Sequence, residues 1–182
     1  NSAELAILYF AGLFSGKVMI PIDPEKEVGE VERIKELHPQ ASFIDNSEAH
    51  KIVSAQVYTE EKSTRLLWDR VDFDKPFLIT YTSGSTGTPK GVRHTAENLF
   101  AAAYEFGTML KYGQHTVMGH CMPMTYMAGI LNTIIMPYLM GGCIAILPRF
   151  SMKSAFSFWE DLRKGGVNTL WLSPTMLRIA NM

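Results

Sequence analysis

Tyr81-Thr82-Ser83-Gly84-Ser85-Thr86-Gly87-Thr88-Pro89-Lys90-Gly91 decides how this chain is read. The run comes directly off Phe77 to Tyr81, an apolar stretch that predicts a strand. Its three glycines, Gly84, Gly87 and Gly91, let backbone N–H groups approach an anion closely. Thr82, Ser83, Ser85, Thr86 and Thr88 add five hydroxyls, each able to donate to a phosphate oxygen or face a hydrated cation. Lys90 adds a full positive charge. A Walker A loop needs Gly, four residues and then Gly-Lys-Ser/Thr, whereas here Pro89 precedes the lysine and Gly91 follows it. Taken on composition alone, the run fits a phosphate-binding loop or a flexible Gly/Ser/Thr linker. Its position straight after a strand, and its single lysine, favour phosphate.

Outward from the loop, helical and strand patterns alternate. Upstream, Ala3 to Phe14 reads as a helix stopped by Ser15-Gly16, Val18 to Ile22 as a strand, Val28 to Leu37 as a helix and Ala41 to Ile44 as a strand. Ser47 to Asp74 reads as irregular, with a weak strand at Gln56 to Tyr58. Downstream, Thr95 opens a helix running to about Leu110. Strands are expected at Thr116 to Met122, Cys143 to Leu147 and Asn168 to Leu172, with helices at Tyr126 to Leu139 and Ser151 to Arg163 and a last one from Pro174. This order predicts an α/β fold with mainly parallel sheets and helices on both faces.

Composition sets the outer limits. The 182 residues are 47% hydrophobic and 19% charged, enough for a real core. A net charge of −1 offers no field for nucleic acid or acidic lipid. Cys121 and Cys143 are too few for a disulfide framework, so both are expected as buried free thiols in a reducing, cytoplasmic setting. His115, His120 and Cys121 match no standard zinc spacing. Tyr112 to Pro148 holds no Asp, Glu, Lys or Arg, but Pro137 and Gly141-Gly142 divide it, so a helix, a turn and a strand are expected there rather than a membrane span.

The loop resembles the signature loop of the adenylate-forming superfamily, which includes acyl- and aryl-CoA synthetases, luciferases and peptide-synthetase adenylation domains. The likeness extends over nearly the whole chain. Leu5 to Pro24 is similar to the segment upstream of that loop, and Met122 to Gly129 to the segment lining the acid pocket; Gly141-Gly142 and Asn168 to Leu177 also fit. The resemblance implies ATP, Mg²⁺ and CoA, and a small-molecule carboxylic acid that is first adenylated and then joined to a thiol. It implies that Ser83, Gly84, Ser85, Thr86 and Gly87 contact phosphate, that Thr82 contacts phosphate and lies near Mg²⁺, and that Lys90 offsets charge on departing pyrophosphate. Tyr126 and Gly129 would belong to the acid pocket.

The chain departs from the family pattern in several places. Ala96 stands where the family usually has a histidine, and His94 is read as a surface or strand-end residue. Tyr126 replaces the histidine of many CoA synthetases. It is read either as a pocket gate or as a core tyrosine. The methionines at 118, 122, 124, 127 and 136 suit an adaptable pocket or an ordinary core equally. The Phe-Asp pair by which peptide synthetases bind an amino group has no counterpart, because no acid lies between Lys111 and Arg149. The family's adenine-binding segment, Mg²⁺-binding glutamate, ribose-binding aspartate and C-terminal domain with its catalytic lysine are not in the sequence. Residues 1–182 are therefore expected to be part of an N-terminal ATP- and acid-binding domain that lacks its C-terminal domain and is inactive alone. Other readings are a peptide-synthetase or acyl-AMP ligase module acting on a carrier protein, and a non-catalytic nucleotide-binding scaffold.

Overall fold

The computed structural model describes residues 1–23, 25–55, 68–82 and 89–182. The chain divides into two compact units, Glu4–Ala96, and Asn1–Ala3 with Glu97–Met182.

In the first unit, α1 (Ala3–Phe14) buries Tyr9 and Leu13. It ends as expected: Gly16, at φ +65°, takes the left-handed conformation that brings the Lys17 N–H to the Gly12 carbonyl at 2.8 Å. The strand expected at Val18 to Ile22 shrinks to one parallel bridge, in which Met19 exchanges hydrogen bonds with Phe77 and Ile79 at 2.7 and 2.9 Å. Helix α2 (Val28–Leu37) has the predicted bounds but buries only Ile34 of its apolar stripe. Ala41 to Ile44 forms no strand, and Phe43 and Ile44 stay exposed. A short apolar run becomes a strand only where another strand's N–H and C=O groups lie beside it.

The stretch expected to be irregular contains α3 (Asn46–Ala55). Asp45 starts it by accepting the Glu48 N–H at 2.8 Å. Asp followed three residues later by Glu is a helix-start signal that was there to be read. The weak strand at Gln56 to Tyr58 lies outside the described residues.

Strands β1 (Pro76–Thr82) and β2 (Lys90–Thr95) pair antiparallel. β2 was not expected, since Gly91 to His94 has no continuous apolar run. It forms because β1 offers a free edge and β2 lays His94 and Val92 across from Leu78 and Thr80.

In the second unit, α4 (Ala96–Met109) leads to a parallel sheet of β3 (Val117–His120), β4 (Cys143–Ile146) and β5 (Thr169–Leu170), in the order β4-β3-β5. Asn168 anchors the start of β3: its side chain accepts the Val117 N–H at 2.9 Å and donates to the His115 carbonyl at 2.7 Å. The helix expected from Ser151 divides into a 3₁₀ turn, Ser154–Phe156, and α6 (Phe158–Lys164). Helix α7 (Pro174–Ala180) is capped by Ser173, whose hydroxyl accepts the Met176 N–H at 3.2 Å. Phe158, Leu162, Cys121 and Ala180 form a buried cluster with Leu170 and Met176 against it.

The single helix expected at Tyr126 to Leu139 is instead a π-helical segment, Ala128–Ile135, followed by one turn of α5 (Met136–Leu139). Pro137 lacks the N–H that would continue an α-ladder, and the Met136 N–H reaches back five residues to Leu131. A turn at Gly141-Gly142 then leads to β4, as expected. No helix among the described residues is long and apolar enough to cross a membrane.

Candidate functional site: a hydroxyl- and lysine-bearing hairpin

β1 and β2 fix the two ends of the motif. Thr82 and Lys90 are directly opposed, the last pair of the ladder before the loop, with Tyr81 opposite Gly91 and Thr80 opposite Val92. Opposed residues in an antiparallel pair project to the same face, so the Thr82 hydroxyl and the Lys90 ammonium share one face of the hairpin. Both residues are exposed. Ser83, Gly84, Ser85, Thr86 and Gly87, the expected phosphate contacts, lie outside the described residues, as does Thr88. The expectation of a loop leading from strand towards helix is corrected: the segment joins two antiparallel strands.

The Tyr81 ring lies against Gly91. A methyl group on Gly91 would fall 3.1 Å from the ring's Cζ. The Tyr81 hydroxyl is 2.7 Å from His38 Nε2, and partial burial raises its pKa. On the other face, Thr80 Oγ1 lies 2.8 Å from His94 Nε2. His94 is thus a half-buried strand residue, and burial lowers its pKa. Ala96 is fully buried. A cavity of about 820 Å³ in the same unit is lined by Leu13, Val18, Phe77 and Ile79, and by Arg70 and Arg93, but by neither Thr82 nor Lys90.

The second expected element, Met122 to Gly129, follows β3 in the other unit. The Tyr126 N–H donates to the Pro123 carbonyl at 3.1 Å, and the Tyr126 carbonyl accepts from Ile130 at 3.0 Å. Tyr126 is 59% exposed, which rules out the core-tyrosine reading. Gly129 is buried, and a Cβ there would sit 2.1 Å from the Pro123 carbonyl oxygen. Only glycine fits this close approach of backbone to backbone. Met118, Met122, Met124 and Met136 are all buried.

Thr133 was not singled out in the sequence, and His120 only as a metal ligand to be dismissed. The two are buried and linked: His120 Nδ1 lies 2.6 Å from Thr133 Oγ1, which donates to the Gly129 carbonyl at 2.6 Å. The spacing of Thr133 four residues after Gly129 was the available signal. Burial pushes the His120 pKa down to about 4 and that of Cys121 up to about 11. No group of three or more His, Cys, Asp or Glu side chains suited to a metal occurs among the described residues.

A protein-family model described as AMP-binding enzyme matches residues 1–181. A malonate–CoA ligase of Arabidopsis thaliana is 27% identical, with 88% of this chain matching 30% of the relative. An acetyl-coenzyme A synthetase of Bacillus subtilis is 32% identical, with 78% of this chain matching 25% of the relative. The chain thus spans less than a third of the length of these curated relatives. In three dimensions the chain resembles the N-terminal domain of FACL13 from Mycobacterium tuberculosis, with a TM-score of 0.79 and 23% identity over 100% of this chain and 50% of that one. The signature loop, the αβ architecture and the match over residues 1–181 agree: this chain belongs to the AMP-binding enzyme family.

Proposed function

We propose that this chain is the phosphate-binding and acid-binding part of an ATP-dependent acid–CoA ligase. The observation that carries the reading is the Thr82–Lys90 pair, which closes a hairpin around a run of glycine and hydroxyl residues. In the reaction, a carboxylate oxygen attacks the α-phosphorus of ATP, the bond to the bridging oxygen breaks, and pyrophosphate leaves. The CoA sulfur, having lost its proton, then attacks the acyl carbon, and AMP departs. Lys90 offsets the charge that grows on pyrophosphate, and backbone N–H groups and hydroxyls of the loop orient the phosphates. The Thr82 hydroxyl is a hard oxygen donor of the kind Mg²⁺ accepts alongside water and phosphate oxygens, so it suits one coordination position. The metal would supply charge neutralisation on the phosphates.

Two features narrow the acid. The charge-free stretch between Lys111 and Arg149 offers no carboxylate for an α-ammonium group, which disfavours an amino acid and a peptide-synthetase module. The malonate- and acetate-activating names of the relatives point to a short acid. Tyr126 and Gly129 belong to the acid pocket on this reading. The 182-residue chain alone turns over nothing, and catalysis belongs to a longer ligase that contains it.

The test is carboxylate-dependent ATP–pyrophosphate exchange by the full-length ligase, using acetate, malonate, octanoate and benzoate. Exchange with the short acids is expected, and should fall steeply in Lys90→Ala and Thr82→Ala. Exchange that both variants retain undiminished would remove the hairpin from the mechanism. A folded, ATP-binding protein without exchange on any acid would favour a non-catalytic nucleotide-binding scaffold.

A further inference from the structure

We propose that His120 and Thr133 are positioning residues for the acid pocket, holding the Gly129 carbonyl and the π-helical turn that carries it. The inference rests on the reading of Met122 to Gly129 as acid-binding. His120 is the last residue of β3, at the carboxyl end of a parallel strand, the end at which open α/β sheets present their ligands. Thr133 lies in the π-helical segment, a rare geometry that concentrates at functional sites.

The hydrogen bonds have one consistent direction. Thr133 Oγ1 carries one proton, and the Gly129 carbonyl 2.6 Å away can only accept it. Thr133 Oγ1 must then accept from His120, so the ring proton sits on Nδ1. Burial keeps the ring neutral at pH 7, which leaves Nε2 a bare acceptor. That nitrogen is buried and has no hydrogen-bond partner among the described residues. An apolar side chain would fill the same space and strand no acceptor, so stability alone does not account for a histidine here. What the histidine provides is a donor to Thr133. The Gly129 carbonyl is thereby held by the Thr133 hydroxyl, while the Pro123 carbonyl oxygen occupies the space where a Cβ at Gly129 would fall. Tyr126, whose own N–H is bonded to Pro123, is positioned by the same frame.

Two measurements test this. In the full-length ligase, Thr133→Val and His120→Leu delete the relay, while Thr133→Ser and His120→Asn keep a hydroxyl and an N–H donor in place. The deleting variants are expected to raise the carboxylate KM by about fivefold, the worth of one lost hydrogen bond, with the ATP KM unchanged and the conservative variants near wild type. Equal effects on both KM values, or a lowered melting temperature with an unchanged carboxylate KM, would overturn the positioning role. Nitrogen NMR of ¹⁵N-histidine-labelled protein should show His120 protonated on Nδ1 at pH 7, and a wild-type Nε2–H tautomer would overturn the relay. A wild type without carboxylate-dependent exchange would refute the ligase reading and the pocket-positioning role with it, while the NMR result would still decide the direction of the hydrogen bonds.

Discussion

Replacing Gly129 with alanine should destabilise the protein, although alanine is the better helix former. Propensity by itself favours the change by about 1 kcal/mol. Against it, the new Cβ would fall 2.1 Å from the Pro123 carbonyl oxygen and 3.0 Å from its carbon. Both are backbone atoms, and the oxygen is held by the Tyr126 N–H at 3.1 Å, so it cannot swing aside without breaking that bond. Overpacking of this kind costs about 3 kcal/mol where the neighbour cannot yield. The net loss is then about 2 kcal/mol, which for a chain of this size lowers the melting temperature by roughly 4–8 °C. Gly29 is the control: it lies exposed in α2, with nothing within 4 Å of an added Cβ. Gly29→Ala should leave the melting temperature unchanged or raise it by a few degrees. Thermal unfolding followed by far-ultraviolet circular dichroism decides the matter. If Gly129→Ala melts at or above the wild type, the close approach of Gly129 to Pro123 is wrong, and the frame around Tyr126 with it.

Acid should weaken the fold through His120. Its folded pKa of about 4 lies below the ordinary 6.5, so the unfolded chain takes up a proton that the folded chain refuses. The stability that the neutral ring secures is complete above pH 6.5 and is lost as the pH falls towards 4, by roughly 3 kcal/mol in all. Urea unfolding at pH 7, 5.5 and 4.5 should show this slope in the wild type and a shallower one in His120→Leu. The two thiols should differ in reactivity: Cys143, expected from the sequence to be buried, is exposed at the start of β4 and should react with a disulfide reagent in the native protein, while buried Cys121, its pKa pushed up to about 11, should react only after denaturation. Rapid native modification of both would contradict the burial of Cys121.

The sequence alone determined the parts that rest on local chemistry. Helix α1 and its glycine stop, α2 to the residue, the strand leading into the motif and the proline-started α7 are all legible because each carries its own periodicity or cap. The family was legible too, since the eleven-residue string from Tyr81 to Gly91 is specific in itself. Tertiary structure decided what depends on a partner. β2 exists because β1 lies beside it, whereas Ala41 to Ile44 pairs with no strand among the described residues and forms none. Tyr126 to Leu139 has the hydrophobicity of one helix, yet its π geometry depends on Thr133 reaching Gly129 and on Pro137 having no N–H to give. Most of all, the pairing of His120 with Thr133 joins a strand end to a helix thirteen residues on. No period or spacing encodes that contact; it arises only when β3 and the π-helical segment pack together and bury His120 Nδ1 beside the Thr133 hydroxyl.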